Sequence, residues 1–180
     1  MNMPSLYDGY LAMAGPRKIR PPLETDAVAA HGIVKGSPPL ELNSVYTYLL
    51  HAWHFADTCA IMDVAGEPAA YLAAYIPPRQ PDTLFIWQVA VVPALREYGL
   101  AHALILDVLE RPTCSGVHYL DATVGTGNSA SEALFRSLAS DFRTDVAVSE
   151  RFPPSVFRPE PHAGEMLFHI GPIERQQIGS

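Results

Sequence analysis

FIWQVAVVPALREYGLAHA, residues 85–103, decides how the rest of the chain is read. Its first half is almost continuously apolar and β-rich, as a strand covered on both faces would be. The run stops at Pro93, and EYGLAHALILDVLE (97–110) follows with the apolar spacing of a buried helix. Between them lies Arg96-Glu97-Tyr98-Gly99-Leu100-Ala101. A tight loop entering a helix offers backbone amides and the positive end of the helix dipole to a phosphate. Small residues at 99 and 101 let a ligand approach that backbone closely. The same residues also suit a plain turn followed by helix packing, and Glu97 sets a carboxylate where an anion would rest. The stretch by itself leaves both readings open.

Composition narrows the classes. The chain has 180 residues, 48% hydrophobic and 17% charged, enough for one substantial core and short for two. No run approaches the roughly 18 consecutive apolar residues of a spanning helix. The first twenty residues lack the basic start, compact apolar stretch and cleavage site of a secretory signal, so a cytoplasmic location is expected. A net charge of −7 argues against nucleic acid as a partner and favours a cationic small molecule. Cys59 and Cys114 alone make neither a disulfide framework nor a zinc site, and are expected to be reduced and buried. His51 and His54, three residues apart, lack a convincing third ligand, so no metal is expected and both read as helix-face histidines.

The remaining elements follow from periodicity. Residues 1–17 read as a poorly ordered arm, Lys18–Pro22 as a short edge strand, and 174–180 as a tail. ETDAVAAHGIVKG (24–36) predicts a helix spaced on Ala27, Ala30 and Val34, capped near Thr25 or Asp26 and ending at Gly36. LELNSVYTYLLHAWHF (40–55) predicts a second, with Tyr46, Leu49, Leu50 and Trp53 at helical intervals after Asn43 and Ser44. TCAIMDV (58–64) and AAYLAAYI (69–76) around Gly66 read as a hairpin. VHYLDATV (117–124) is a strand, GTG (125–127) a turn, and Asn128 an N-cap for a helix over 129–139. Two terminal strands, in FRTDVAVSE and EMLFHIG, enclose a proline-rich loop. The expected fold is α/β or α+β, a single domain over 18–173 with a mixed sheet.

Several separated stretches carry a resemblance. Arg96-x-x-Gly99-x-Ala101 after VAVVP resembles the acetyl-CoA loop of the GNAT superfamily of acetyltransferases, and NSASEALF (128–135) resembles its Asn-led helix. LELNSVYTYLL, DTCAIM, PPRQPDTLFIWQVAV, ATVGTGNSASEALFRSLA, His162-x-x-Glu165 and HIGPI together resemble the L-2,4-diaminobutyrate acetyltransferases of ectoine synthesis, from about Arg20 to Pro172. The chain departs from that family at Glu97, where Gly is usual, and at Val45, where Pro is usual. Gly125-Thr126-Gly127-Asn128 replaces a usual Thr-Pro-Ser-Asn.

The resemblance implies a GNAT-like, mostly antiparallel sheet flanked by helices on both faces, an acetyl-CoA co-substrate, no metal, no membrane partner and a homodimer. It implies that amides of Arg96, Glu97, Tyr98, Gly99, Leu100 and Ala101 take the pyrophosphate, and that backbone groups of Val89 and Val91 meet the pantetheine arm and thioester. Asn128 is placed near the CoA arm, although it equally suits a helix cap. Phe135 stands where many GNAT enzymes carry the Tyr that protonates the leaving thiolate, so on the cofactor side that role is vacant. Glu41, Trp87 and Glu165 take substrate-pocket positions, with Asn43, Ser44 and Thr123 as further polar contacts. Because an alkylammonium has a pKa of about 10, the attacking amine needs a base, and Glu41 or Glu165 is the candidate. Another diamine or polyamine as substrate, or a binding module without turnover, are the alternatives.

Overall fold

The computed structural model describes residues 16–174, so most of the expected arm and tail lies outside the described residues. Seven strands form one sheet in the order β1-β2-β3-β4-β5-β7-β6: Arg17–Arg20, Ala60–Val64, Glu67–Tyr75, Thr83–Val91, Tyr119–Gly125, Val146–Phe152 and Glu165–Ile170 are β1 to β7. Four helices accompany them: α1 (Ala27–Lys35), α2 (Val45–His54), α3 (Leu100–Glu110) and α4 (Ser129–Asp141). The pairing is antiparallel for β1–β2, β2–β3, β5–β7 and β6–β7, and parallel for β4–β5. The chain divides into two compact units, one running to Ala73 and including Gln88–Val108, the other holding Ala74–Trp87 and everything from Leu109 on.

In the first unit, Ala65 (φ 54°) and Gly66 (φ 89°) turn the β2–β3 hairpin. Two successive positive φ values match the right-handed twist of the paired strands. Arg17 already pairs with Val64, so the sheet starts inside the expected arm. Arg20 reaches Asp26 at 2.6 Å and Asp63 at 3.0 Å. Asp26 also accepts from the Leu23 amide, so its carboxylate ties β1 to the entry of α1 instead of capping the helix as expected.

Helix α2 corrects one expectation. Tyr46 and Trp53 are 66% and 68% exposed, and the buried positions are Tyr48, His51 and Ala52. The helix carries apolar residues around its circumference, so periodicity leaves the inward face ambiguous. Packing chose Tyr48, which joins Ala27, Ala30, Val34, Ile61 and Tyr71 in the core with Val45 and Leu49 against them. His51 is not an open helix-face histidine either: it is buried, and its Nδ1 lies 2.9 Å from the Tyr71 hydroxyl. Helix α3 begins at Leu100 and not at 97, because Glu97 (φ 68°) and Gly99 (φ 72°) are left-handed and a right-handed helix cannot include them.

The second unit is built on β5 and β7. Leu120, Ala122, Val124, Phe168 and Ile170 are buried, with Phe135, Leu138 and Phe142 contributed from α4 and its end. Phe135 and Phe168 pack with their rings tilted by 40° and 6.1 Å between centroids. The Asn128 side chain accepts from the Ser131 amide at 3.2 Å, the expected N-cap of α4. Cys59, in the first unit, and Cys114, in the second, are both buried, and neither is in a disulfide.

Candidate active site

After β4, a short 3-10 turn (Pro93–Leu95) leads through Arg96 to α3. The residues 96–101 thus form the expected strand–loop–helix. Leu100 and Ala101 open α3, so their N–H groups precede the first intrahelical acceptors. Gly99 and Glu97 are exposed, and a side chain built on Gly99 would meet nothing within 4 Å. Open amides at a helix N-terminus fit a pyrophosphate. Leu100 is 1% exposed as a whole residue and belongs to the core, so the open surface here is at Glu97 and Gly99.

The Arg96 guanidinium is spent within the protein. Its Nη2 donates to the Gly36 carbonyl at 2.7 Å and to Ser37 Oγ at 3.2 Å, and its Nε donates to the Val91 carbonyl at 3.1 Å. Gly36 terminates α1, so the cation meets the negative end of that helix. The Val91 carbonyl also accepts from Ser37 Oγ at 3.4 Å. Of the two strand residues expected to face the thioester, Val91 therefore has its carbonyl engaged internally.

The segment between α1 and α2 carries Glu41, Asn43 and Ser44. Glu41 and Ser44 are exposed and Asn43 is partly buried. The Glu41 carbonyl accepts from Gln88 Nε2 at 2.6 Å. Ser44 Oγ lies 3.4 Å from Thr47 Oγ1.

The second unit holds Trp87, Thr123 and Glu165. Trp87, on a strand whose composition suggests a core residue, is instead 44% exposed. The β5–β7 register sets Glu165 opposite Gly125 and Leu167 opposite Thr123, which puts Thr123, Gly125 and Glu165 on one face of the ladder. Glu165 is partly buried and pairs with His162 Nε2 at 3.3 Å. His162 Nδ1 accepts from the Gly164 amide at 3.0 Å, so the neutral ring carries its proton on Nε2, the nitrogen nearest the carboxylate. Phe157 stacks on the His162 ring at 3.8 Å, and a side chain built on Gly125 would come within 3.4 Å of Glu165 Oε1. Asn128 uses its oxygen as the helix cap, and Phe135 is buried beside Phe168.

Residues 29–139 match the acetyltransferase (GNAT) family. The L-2,4-diaminobutyric acid acetyltransferase of Marinococcus halophilus is 40% identical over 154 residues, covering 86% of this chain and 89% of that protein. The enzyme of the same name from Halomonas elongata is 38% identical over 177 residues, covering 97% and 92%. The chain belongs to the L-2,4-diaminobutyric acid acetyltransferase family. A solved relative, the diaminobutyrate acetyltransferase of Paenibacillus lautus in complex with L-2,4-diaminobutyric acid and coenzyme A, is 32% identical with a TM-score of 0.85. It covers 89% of this chain and 98% of its own. The ribosomal-protein-S18-alanine N-acetyltransferase of Escherichia coli shares the fold, at 21% identity and TM-score 0.63 over 88% of this chain.

For a member of the L-2,4-diaminobutyric acid acetyltransferase family, two features of this structure were not assigned from sequence. His162 appeared there only as part of a motif, and its fixed tautomer toward Glu165 is a tertiary feature. Gln88 has no role in the motifs that carry the resemblance, and its one signal in the sequence is a lone amide within TLFIWQVAVV. Among the described residues no group of three or more His, Cys, Asp or Glu is arranged to hold a metal. No described helix is long and apolar enough to cross a membrane.

Proposed function

We propose that this chain transfers the acetyl group of acetyl-CoA to the γ-amine of L-2,4-diaminobutyrate, by direct attack of the amine on the thioester. The observation that carries this reading is the likeness, at TM-score 0.85, to a relative solved with both diaminobutyric acid and coenzyme A. Acetyl-CoA supplies the thioester carbonyl, and as the new C–N bond forms the C–S bond breaks and the sulfur leaves with a proton.

The chain's own residues divide the remaining work. Amides from Arg96 to Ala101 take the pyrophosphate, where the α3 dipole favours negative charge. The backbone of Val89 is better suited than that of Val91 to meet the thioester, since the Val91 carbonyl already accepts from Arg96. Diaminobutyrate brings two ammonium groups, which call for anionic and aromatic partners. Glu41, Glu165 and the exposed face of Trp87 provide them. Asn43, Ser44 and Thr123 add neutral polar contacts. Glu165 is the favoured base of the two carboxylates, because His162 and the β5–β7 register fix its geometry. Phe135 has no proton to give and no exposure, so a water or another residue protonates the thiolate.

The reading extends to one acetyltransferase domain over 18–173 acting as a cytoplasmic homodimer, without nucleic-acid or membrane partners, in keeping with the charge of −7. Light scattering on the purified protein tests the dimer. Turnover of acetyl-CoA across a panel of diaminobutyrate, ornithine, lysine and putrescine tests the function, with the acetylated nitrogen located by NMR. Diaminobutyrate should dominate with product at the γ-nitrogen. Equal rates on all four amines overturn the assignment.

A further inference from the structure

Gln88 is 3% exposed on β4, between the apolar stretches LFIW and VAV. Burying an amide costs free energy unless both of its ends are hydrogen-bonded. Here both are. Nε2 donates to the Glu41 carbonyl at 2.6 Å, and Oε1 accepts from the Tyr48 hydroxyl at a longer 3.4 Å. Tyr48 is 1% exposed, and burial pushes its phenol up from the ordinary range. The chain of contacts runs from the Glu41 carbonyl through Gln88 to Tyr48 on α2.

That segment is otherwise weakly held. Glu41, Leu42 and Ser44 are exposed, and Val45 is the first residue of α2. An exposed connection of this kind samples many backbone conformations unless something fixes it. A Leu or Met would pack the interior of β4 as well as Gln88 does; what the amide adds is an anchor 47 residues away in sequence.

We propose that Gln88 and Tyr48 are positioning residues for amine recognition, a buried clasp that sets the backbone at Glu41 so that its carboxylate is presented in one geometry. This rests on the reading that Glu41 contacts the amine substrate. Neither Gln88 nor Tyr48 touches the substrate itself. The amide is needed because it donates to a carbonyl and accepts from a hydroxyl at once. Gln88→Met keeps the volume and removes both bonds, Gln88→Glu keeps only the acceptor, and Tyr48→Phe removes only the hydroxyl.

Hydrogen–deuterium exchange and steady-state kinetics on the full chain test this together. Gln88→Met should speed exchange across residues 40–44 and raise the KM for diaminobutyrate about tenfold, the loss of roughly one good hydrogen bond's worth of geometry. The KM for acetyl-CoA should stay within about twofold, because the residues 96–101 hang on Arg96 and not on Gln88. Tyr48→Phe should do the same more weakly, and the double variant should be no worse than Gln88→Met, since both break one chain of contacts. If Gln88→Met does not fold, Gln88→Glu and Tyr48→Phe carry the same readouts. Unchanged exchange over 40–44, or KM values for both substrates rising together, overturns the clasp. Glu41→Gln keeps the clasp and removes the charge. If it leaves the diaminobutyrate KM unchanged, the amine reading of Glu41 fails, while the exchange measurement still judges the clasp.

Discussion

The guanidinium of Arg96 donates to the carbonyl of Gly36 at 2.7 Å, across 60 residues of sequence, and so ties the residues that open α3 to the last turn of α1. The residue that marks the acetyl-CoA loop in sequence thus serves it as a brace, and its charge faces a helix C-terminus. Arg96→Met removes three hydrogen bonds, to Gly36, Ser37 and Val91. It should lower stability by about 1–3 kcal/mol in urea denaturation and weaken coenzyme A several-fold by calorimetry. Arg96→Lys should recover part of both. Full affinity in Arg96→Met would show that the loop holds its shape without the brace.

Glu97 has φ 68°, where a side chain is strained and glycine is not. Glu97→Gly should therefore raise stability by roughly 0.5 kcal/mol, the relief of left-handed strain less glycine's larger unfolded-state entropy. Because Glu97 is exposed, its effect on cofactor binding should be small and screened: about two- to threefold tighter coenzyme A at low salt, vanishing near 0.5 M. Glu97→Ala separates the two effects, keeping the strain and removing the charge. Tenfold tightening that persists at high salt would instead place the carboxylate against the phosphates.

Glu165→Gln keeps the size of the side chain but loses the negative charge that faces His162 Nε2. Its KM for diaminobutyrate should rise at least about tenfold, with coenzyme A affinity nearly intact by thermal-shift titration. Loss of cofactor binding with normal amine use would refute its place in the amine site.

His51 is buried, and that burial holds its imidazole below the usual value of 6.5. The unfolded chain then binds the extra proton more readily than the folded one. His51's contribution is complete above about pH 6.5 and is lost as pH falls from there toward the depressed folded value. Urea midpoints should drop more between pH 7 and 5 in the wild type than in His51→Gln. Parallel slopes would mean that His51 charges freely in the native state.

Gly171 has φ 145°, and a Cβ there would sit 2.5 Å from Tyr119 Cδ1 and 2.7 Å from the His118 carbonyl. Gly171→Ala should cost about 2 kcal/mol or more, measured by urea denaturation, because the main chain on one side cannot yield. A loss below 0.5 kcal/mol would indicate that the segment after β7 shifts freely.

Local rules explain what was legible in the residues. The strand, loop and helix around 85–103 were readable because apolar runs, Pro93 and Gly99 act over a few residues. The cap at Asn128 was readable because its oxygen bonds an amide three residues on. The family resemblance rested on separated motifs in order, and the relatives' identities bear it out.

What the sequence determined by itself was therefore the set of elements, their order and the chemistry they serve. Tertiary structure decided the rest: which face of α2 turns inward, where Arg96 spends its charge, how His162 orients on Glu165, and why an amide sits in the middle of β4. Backbone preferences and caps are fixed by neighbours within a turn. Packing and long-range hydrogen bonds join residues 47 or 60 apart, and only the folded chain brings those partners into reach.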